Sequence, residues 1–411
     1  MKMKECNLRI NSQAPICDYP LSMDLYSGCT HGCVYCFARS FNNFTITAKD
    51  RYEHTEPIDY KKLLRLINGD YRGSTGVNGL LQKVVDLRQP IHVGGMADPF
   101  PRGVEEKLGH AKRFIEAVGD YPFIWSTKNP IPEYAEIMKN GNHILQCSIP
   151  GFGEKVKKIE RGCLSPEERL ENLKAYKGKV KKIIIRLQPF IIWMFKKEKD
   201  FDDYMKKISE VADGVTIEFL KLQYNSNFTE MNKVFGIDLE EYYKKAGHVG
   251  RNEYLEEPAK KAKMLLIAKK YAEKYGLEFY ASDDAFRDLS SCTQCCGVQK
   301  DDGEIWQSKM RFNISKLAET LKEKGRIKVD DFISDNVPEF YKGGCELDLN
   351  WNSGDKLGYE KAKKNTIEDK FREILTTKNS NNPAVVMPNV EMRELDGELY
   401  YVYVDRFGLR K

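Results

Sequence analysis

Short runs of apolar residues alternate with longer amphipathic stretches through the first two-thirds of the chain. The runs 23–26, 91–94, 123–126, 144–149, 182–187 and 215–219 are rich in β-branched and aromatic residues. Strands buried on both faces of a parallel sheet read this way, whereas half-solvated strands alternate. Between them, apolar positions recur at helical spacing over 60–67 with 79–87, 104–118, 131–139, 166–176 and 201–211. Ser165-Pro166-Glu167-Glu168 is a helix start: an N-cap hydroxyl, proline at the first position and acids in the first turn. Repeated β-α units predict an α/β fold, a parallel sheet joined by right-handed crossovers.

The rhythm fades after residue 219. Residues 221–257 read as irregular, rich in Asn, Tyr and charge. A long helix is expected over 258–275, closed by Gly276, and 278–281 reads as one more short strand. Beyond 282 the pattern holds helices near 314–324 and 359–375, a polar loop at 377–383 and a hairpin-like pair, 384–387 with 399–404. This places a β-α core with its N-terminal segment at 1–285 and a C-terminal α+β extension at 286–411.

Composition narrows the class. The 411 residues are 41% hydrophobic and 31% charged, which describes a soluble globular chain. The apolar run 183–195 is interrupted by Arg186, Gln188 and Pro189 and is too short to span a bilayer. Met-Lys-Met-Lys-Glu-Cys at the N-terminus lacks the apolar core of a signal peptide. A cytoplasmic location without a membrane partner is the expectation. Lysines cluster at Lys155, Lys157 and Lys158, at Lys177–Lys182 and at Lys260–Lys270, yet the net charge is only +5. Solvated helix faces explain them more simply than a nucleic-acid footprint does. Eleven cysteines, an odd number with three in one loop, point to a reducing compartment rather than a disulfide framework.

That loop carries the strongest chemical signal. Cys29, Cys33 and Cys36 stand at Cys-x3-Cys-x2-Cys spacing within Tyr26-Ser-Gly-Cys-Thr-His-Gly-Cys-Val-Tyr-Cys. Thiolate is the soft ligand that iron–sulfur clusters require, and three thiolates on a four-iron cluster leave one iron open for chemistry. A zinc knuckle is the competing reading, but such sites pair Cys-x2-Cys units to reach four ligands. His31, between two of the ligands, reads as a solvated loop residue, with a proton or electron role as the rival.

With its position after the first strand and Tyr35 before the last cysteine, the loop resembles the radical S-adenosylmethionine (SAM) superfamily. The resemblance implies a partial (β/α)6 TIM-like barrel over 1–285. It also implies a [4Fe-4S] cluster on Cys29, Cys33 and Cys36, with SAM on the open iron. Reductive cleavage of SAM to a 5′-deoxyadenosyl radical, which abstracts hydrogen from a substrate, is the implied chemistry. A low-potential donor of the flavodoxin or ferredoxin type would supply the electron. Tyr35 would pack by the adenine, and Gly94, Gly95 and Met96 would hold the SAM amino end through backbone carbonyls. Further blocks are similar to the spore photoproduct lyase-like branch, commonly labelled DNA repair photolyases: Met96-Ala-Asp-Pro-Phe-Pro, Ser126-Thr-Lys, Ser148-Ile-Pro and Lys158-Ile-Glu-Arg-Gly-Cys-Leu-Ser-Pro-Glu-Glu-Arg. They carry over Ser126, Lys128, Ser148 and Arg186 as cofactor-binding residues.

Other residues stay as candidates. Glu160 and Arg161 could clamp cofactor or substrate, with Arg169 bracing their loop. Cys147 is a weak candidate for a hydrogen donor facing the barrel, against the plainer reading of a buried small hydrophobe. A second group, Cys292, Cys295 and Cys296 with Cys345 downstream, has the density of an auxiliary iron–sulfur cluster, a zinc site or a redox pair; Cys295 and Cys296 are weak catalytic candidates. Cys6, Cys17 and Cys163 show no partner pattern. The leading expectation is a radical SAM enzyme acting on a nucleic-acid base in repair or modification. Its rivals are a radical SAM enzyme acting on a peptide or small metabolite, and a non-catalytic zinc-stabilised nucleic-acid-binding protein.

Overall fold

The computed structural model describes residues 8–10, 19, 21–39, 55–223, 228–245, 253–291, 294–298, 302–306, 309, 314–336, 372–373, 375–378 and 382–408. Its main sheet runs in the order β1 (Arg9–Ile10), β2 (Leu21–Met23), β3 (Ile91–Val93), β4 (Phe123–Thr127), β5 (His143–Ser148), β6 (Lys182–Phe190), β7 (Gly214–Phe219) and, at the far edge, β10 (Glu278–Ala281). Two residues of β1 pair antiparallel with β2. The others form a seven-stranded parallel α/β sheet that does not close, as a partial barrel requires. Neighbours in space are neighbours in sequence, the order that successive right-handed β-α crossovers produce. The central strands are buried almost throughout, which is why they read as continuous apolar runs.

Strand β2 ends three residues before the expectation. Asp24 leaves the ladder because its carboxylate accepts from the backbone N–H groups of Met96 (3.0 Å) and Ala97 (3.1 Å). Tyr26 instead bridges to Pro57. The helix expected over 104–118 is two, Glu105–Leu108 and His110–Val118, because Gly109 adopts a left-handed conformation between them. Gly109 has no side chain to cap the second helix. The buried Glu105 carboxylate takes that place, accepting from the N–H groups of His110 (3.1 Å), Ala111 (3.0 Å) and Lys112 (3.1 Å) and from the Tyr26 and Tyr134 hydroxyls. At Pro166–Leu173 the capping box forms as anticipated, with Ser165 and Glu168 exchanging hydrogen bonds.

Residues 221–257 are not irregular throughout. They hold helices Thr229–Phe235 and Leu239–Lys245 and a small ladder, β8 (Leu222–Gln223) with β9 (Glu253–Tyr254). Met231, Leu239 and Tyr243 bury against Ile159, Ile191 and Leu220, which supplies the stabilisation such short helices need.

The chain divides into two compact units, one drawn from residues 1–6, 23–65 and 92–279, the other from 7–22, 66–91 and 280–411. In the second, β11 (Arg326–Lys328), β13 (Glu398–Tyr403) and β12 (Val390–Leu395) form an antiparallel sheet in that order, beside helices Ile314–Lys324 and Val329–Asn336. The expected pairing of 384–387 with 399–404 is not what forms. Asn382 accepts from Ala384 N–H at 2.9 Å and Pro383 opens a helical turn, Pro383–Val386. The hairpin instead turns at Asp396-Gly397, both at positive φ, the geometry that a two-residue Asp-Gly loop favours. The helix expected over 359–375 lies almost wholly outside the described residues. Among those described, no helix is long and apolar enough to cross a membrane.

Candidate functional site

The site lies entirely in the first unit, on the loops that follow the C-terminal ends of the parallel strands. There the cysteine loop leaves β2. Asp24 ties its beginning to the turn after β3. Gly94 in that turn has φ near +96°, and a Cβ there would stand 2.4 Å from the Ser126 carbonyl oxygen, so the backbone can approach this closely only with glycine. Gly95 faces no such restriction. Further on, the loop is stitched to residues 159–163. Val34 N–H donates to Ile159 O (2.9 Å) and Gly162 N–H to His31 O (2.9 Å). A Cβ on Gly162 would stand 2.4 Å from Thr30 O. All three loop cysteines are free thiols, Cys33 buried and Cys29 and Cys36 half-buried.

Beside the loop is a buried charge cluster. Glu160 receives Arg169 Nη2 at 2.6 Å, Lys128 Nζ at 3.0 Å and the Tyr35 hydroxyl. Burial alone would raise the Glu160 carboxyl, but Arg169 and Lys128 outweigh it and hold it at about 2. Burial likewise opposes the charge on Lys128, and the Glu160 carboxylate reverses that effect and raises it. Arg169 also donates to the Ser148 carbonyl at 2.7 Å. This corrects the expected Glu160–Arg161 clamp. Arg161 turns outward to the exposed Glu230, and Arg169 is the residue that pairs with Glu160.

His31 is buried rather than solvated. Its Nδ1 lies 3.3 Å from Asp98, while Nε2 is buried without a partner. Burial lowers its pKa, against the pull of Asp98. Asp98 in turn accepts from the Thr127 hydroxyl (2.7 Å) and the Lys128 (2.6 Å) and Phe100 (2.9 Å) N–H groups, so one carboxylate links three loops.

A second polar row crosses the inner face of the sheet. Ser126 Oγ lies 2.7 Å from His92 Nε2 and donates to Gln146 Oε1 at 2.9 Å. Arg186 Nη1 donates to Ser126 Oγ at 2.6 Å, and Nε donates to Gln188 Oε1 at 2.8 Å. Gln188 reaches Glu218, which pairs with Lys221. Burial, with Arg186 adding to it, pushes His92 down to about 3, so the imidazole is neutral. The four residues carried over by resemblance thus fall in two places. Lys128 and Ser148 meet the charge cluster, and Ser126 and Arg186 belong to the row. Because Gln146 faces the row, the next residue along β5, Cys147, lies on the opposite face, where burial pushes its thiol up to about 12.

Cys163 had no partner pattern in sequence, yet its Sγ lies 3.8 Å from that of Cys33. The contact lowers the Cys33 thiol, while burial and Cys33 raise that of Cys163. A cavity of about 250 Å³ opens beside it, lined by Glu160, Arg161, Cys163 and Arg169 among others. Asp98 and Gln146 were also missed. Neither stands in a cysteine or charge pattern; Asp98 lies within the block 96–101 without a role of its own, and Gln146 in an apolar run. Cys295 and Cys296 are half-buried in the second unit, and Cys292 and Cys345 lie outside the described residues, as do Cys6 and Cys17.

Residues 23–208 match the family model described as the radical SAM superfamily. No curated protein matches the chain. Two solved structures are similar, both point mutants of spore photoproduct lyase, one of them with dinucleoside spore photoproduct. Each is 15% identical with a TM-score of 0.46 over 67% of this chain, covering 79% and 80% of their own chains. A likeness of that size carries no argument about substrate.

Proposed function

We propose that this chain, whose residues 23–208 match the radical SAM superfamily model, is an enzyme of that class: it holds a [4Fe-4S] cluster on Cys29, Cys33 and Cys36, binds SAM beside it, and acts on a nucleic-acid base. The observation that carries the site is the meeting, on one rim, of the cysteine loop, the Gly94 turn and the Lys128–Glu160–Arg169 cluster. The donor set fits the group: three free thiols in one loop are the ligands of a four-iron cluster with one iron open. The Gly94 turn offers backbone where a Cβ would collide, as a cradle for the SAM amino end needs. When bound, cluster and SAM together supply a carbon-centred radical able to take a hydrogen atom from substrate.

The chain's own residues bind and orient. Gly94, Gly95 and Met96 would present carbonyls to SAM, and Tyr35, its hydroxyl fixed on Glu160, would pack by the adenine. Lys128 and Ser148 at the charge cluster, and Ser126 and Arg186 in the polar row, would hold the cofactor. Asp24 and Asp98 fasten the loops, and the half-buried row from His92 to Glu218 lines one face of the sheet with linked polar side chains. Support for a nucleic-acid substrate comes from the ordered blocks 96–101, 126–128, 148–150 and 158–169, which resemble the spore photoproduct lyase-like branch. A low-potential flavodoxin- or ferredoxin-type donor in the cytoplasm completes the reading. An auxiliary cluster or zinc at Cys292, Cys295, Cys296 and Cys345 belongs to the same proposal.

The test is direct. Anaerobically purified protein should be brown and contain iron. With reductant and SAM it should move deuterium from labelled DNA or RNA into 5′-deoxyadenosine. Transfer from a labelled peptide or metabolite, and from no nucleic acid, would replace the substrate reading. Colourless protein that cannot be reconstituted with iron and sulfide would remove the cluster.

A further inference from the structure

We propose that Cys33, Cys163 and Glu160 form a site for one thiophilic divalent cation of the zinc class in the cluster-free protein. Because Cys33 also serves the cluster, the two occupants exclude one another. The site itself stands without the cluster; only the exclusion rests on the cluster reading.

The sulfur spacing is the first argument. Cys33 Sγ and Cys163 Sγ are 3.8 Å apart. Two thiolates on one tetrahedral zinc, each at about 2.3 Å, stand about 3.8 Å apart. The sulfurs therefore already occupy two corners of such a site. A Glu160 carboxylate oxygen lies within 4.8 Å of both, which provides a third. Three protein ligands and one water are a common zinc arrangement.

The second argument is rigidity. The two segments carrying the sulfurs are joined by Val34 N–H to Ile159 O and Gly162 N–H to His31 O, both 2.9 Å. Gly162 packs so closely on Thr30 O, 2.4 Å from where a Cβ would be, that the segments cannot separate without breaking these contacts. Around the ligands, Arg169, Lys128 and Tyr35 hold the Glu160 carboxylate, the kind of outer support that fixes a metal ligand's orientation. Once metal binding displaces the thiol protons, three anionic donors face the two cations Arg169 and Lys128, and negative charge remains for the metal. Access is provided by the cavity of about 250 Å³ that Glu160 and Cys163 line.

Cobalt reports such a site through its visible bands. Cluster-free protein titrated anaerobically with Co²⁺ should take up one equivalent, with tetrahedral bands and a charge-transfer intensity of two thiolates, and Zn²⁺ should displace it. Cys163→Ser should halve that intensity and weaken binding at least about tenfold. Cys36→Ser should change neither. Cys163→His, which keeps a ligand, should retain tetrahedral bands with one thiolate, showing that the loop still folds. Halving in Cys36→Ser but not in Cys163→Ser would overturn the site, as would failure of the native protein to bind an equivalent. Zinc-loaded native protein should take up iron and sulfide at least about tenfold more slowly than metal-free protein, and Cys163→Ser should abolish the delay. Equal rates with and without zinc would overturn the exclusion. Cobalt held by Cys33 and Cys163 in protein that never accepts a cluster would sustain the site and remove the cluster reading instead.

Discussion

Replacing Glu160 with glutamine tests how the rim is held together. The carboxylate is buried and sits at about 2 rather than the ordinary 4.5, because Arg169 and Lys128 more than offset the cost of burial. At about 1.4 kcal/mol per pH unit, that difference amounts to about 3 kcal/mol of stability. A second route gives a similar figure: removing one partner of a buried ion pair typically costs about 3–5 kcal/mol, since the other charge is left alone. Arg169 would be that charge, fully buried and with its Nε already unpartnered. The folded pKa lies below the unfolded one, so the stabilisation is complete above about 4.5 and is lost as pH falls toward 2. Urea unfolding followed by circular dichroism should place Glu160→Gln about 3 kcal/mol below the native protein at pH 7, the gap narrowing once pH drops under 4.5. Adding Arg169→Met should recover part of the loss, because the less deeply buried Lys128 is then the only cation of the pair left without its carboxylate. A variant within about 1 kcal/mol of native, or a gap that stays constant down to pH 3, would refute the reasoning.

Other substitutions probe other parts. Glu105→Gln places amide hydrogens against three backbone N–H donors and two hydroxyls, and should cost about 2–3 kcal/mol, read as a drop of several degrees in Tm. Gly94→Ala meets the Ser126 carbonyl at 2.4 Å and should abolish SAM binding by calorimetry to the iron-loaded protein; Gly95→Ala, with nothing within 4 Å, should bind normally. Cys29→Ala should lose its iron and brown colour, whereas Cys147→Ala, on the opposite face of β5 from the polar row, should keep both by iron assay and absorption.

What the sequence disclosed depended on how local each determinant is. Buried parallel strands are apolar along their length, so β3, β4 and β10 were placed to within a residue. The Ser165–Glu168 capping box is complete within four residues and was equally visible. The Asp396-Gly397 turn was also present as a local signal, and the neighbouring run 384–387 drew the strand away from it. By contrast, the break at Gly109 required knowing that a carboxylate four residues earlier would cap the second helix. The short helices in 229–245 are held by Ile159, Ile191 and Leu220, far away in sequence, and their own patterns are too brief to declare them.

The same distinction separates the two kinds of cysteine at the site. Cys29, Cys33 and Cys36 share one turn of chain, so their spacing encodes a ligand set. Cys163 comes 130 residues after Cys33, and only the packing of Gly162 on the cysteine loop brings their sulfurs to 3.8 Å. The glycine needed there is not at positive φ; it is required by a close approach of two backbones, which one sequence alone does not reveal. Arg169 behaves alike: in sequence it is one charge among many near a helix start, and in the fold it is the buried partner that sets the charge of Glu160. Spacing names a ligand set within the loop, while the side chains that surround it are ones that the fold alone brings to it.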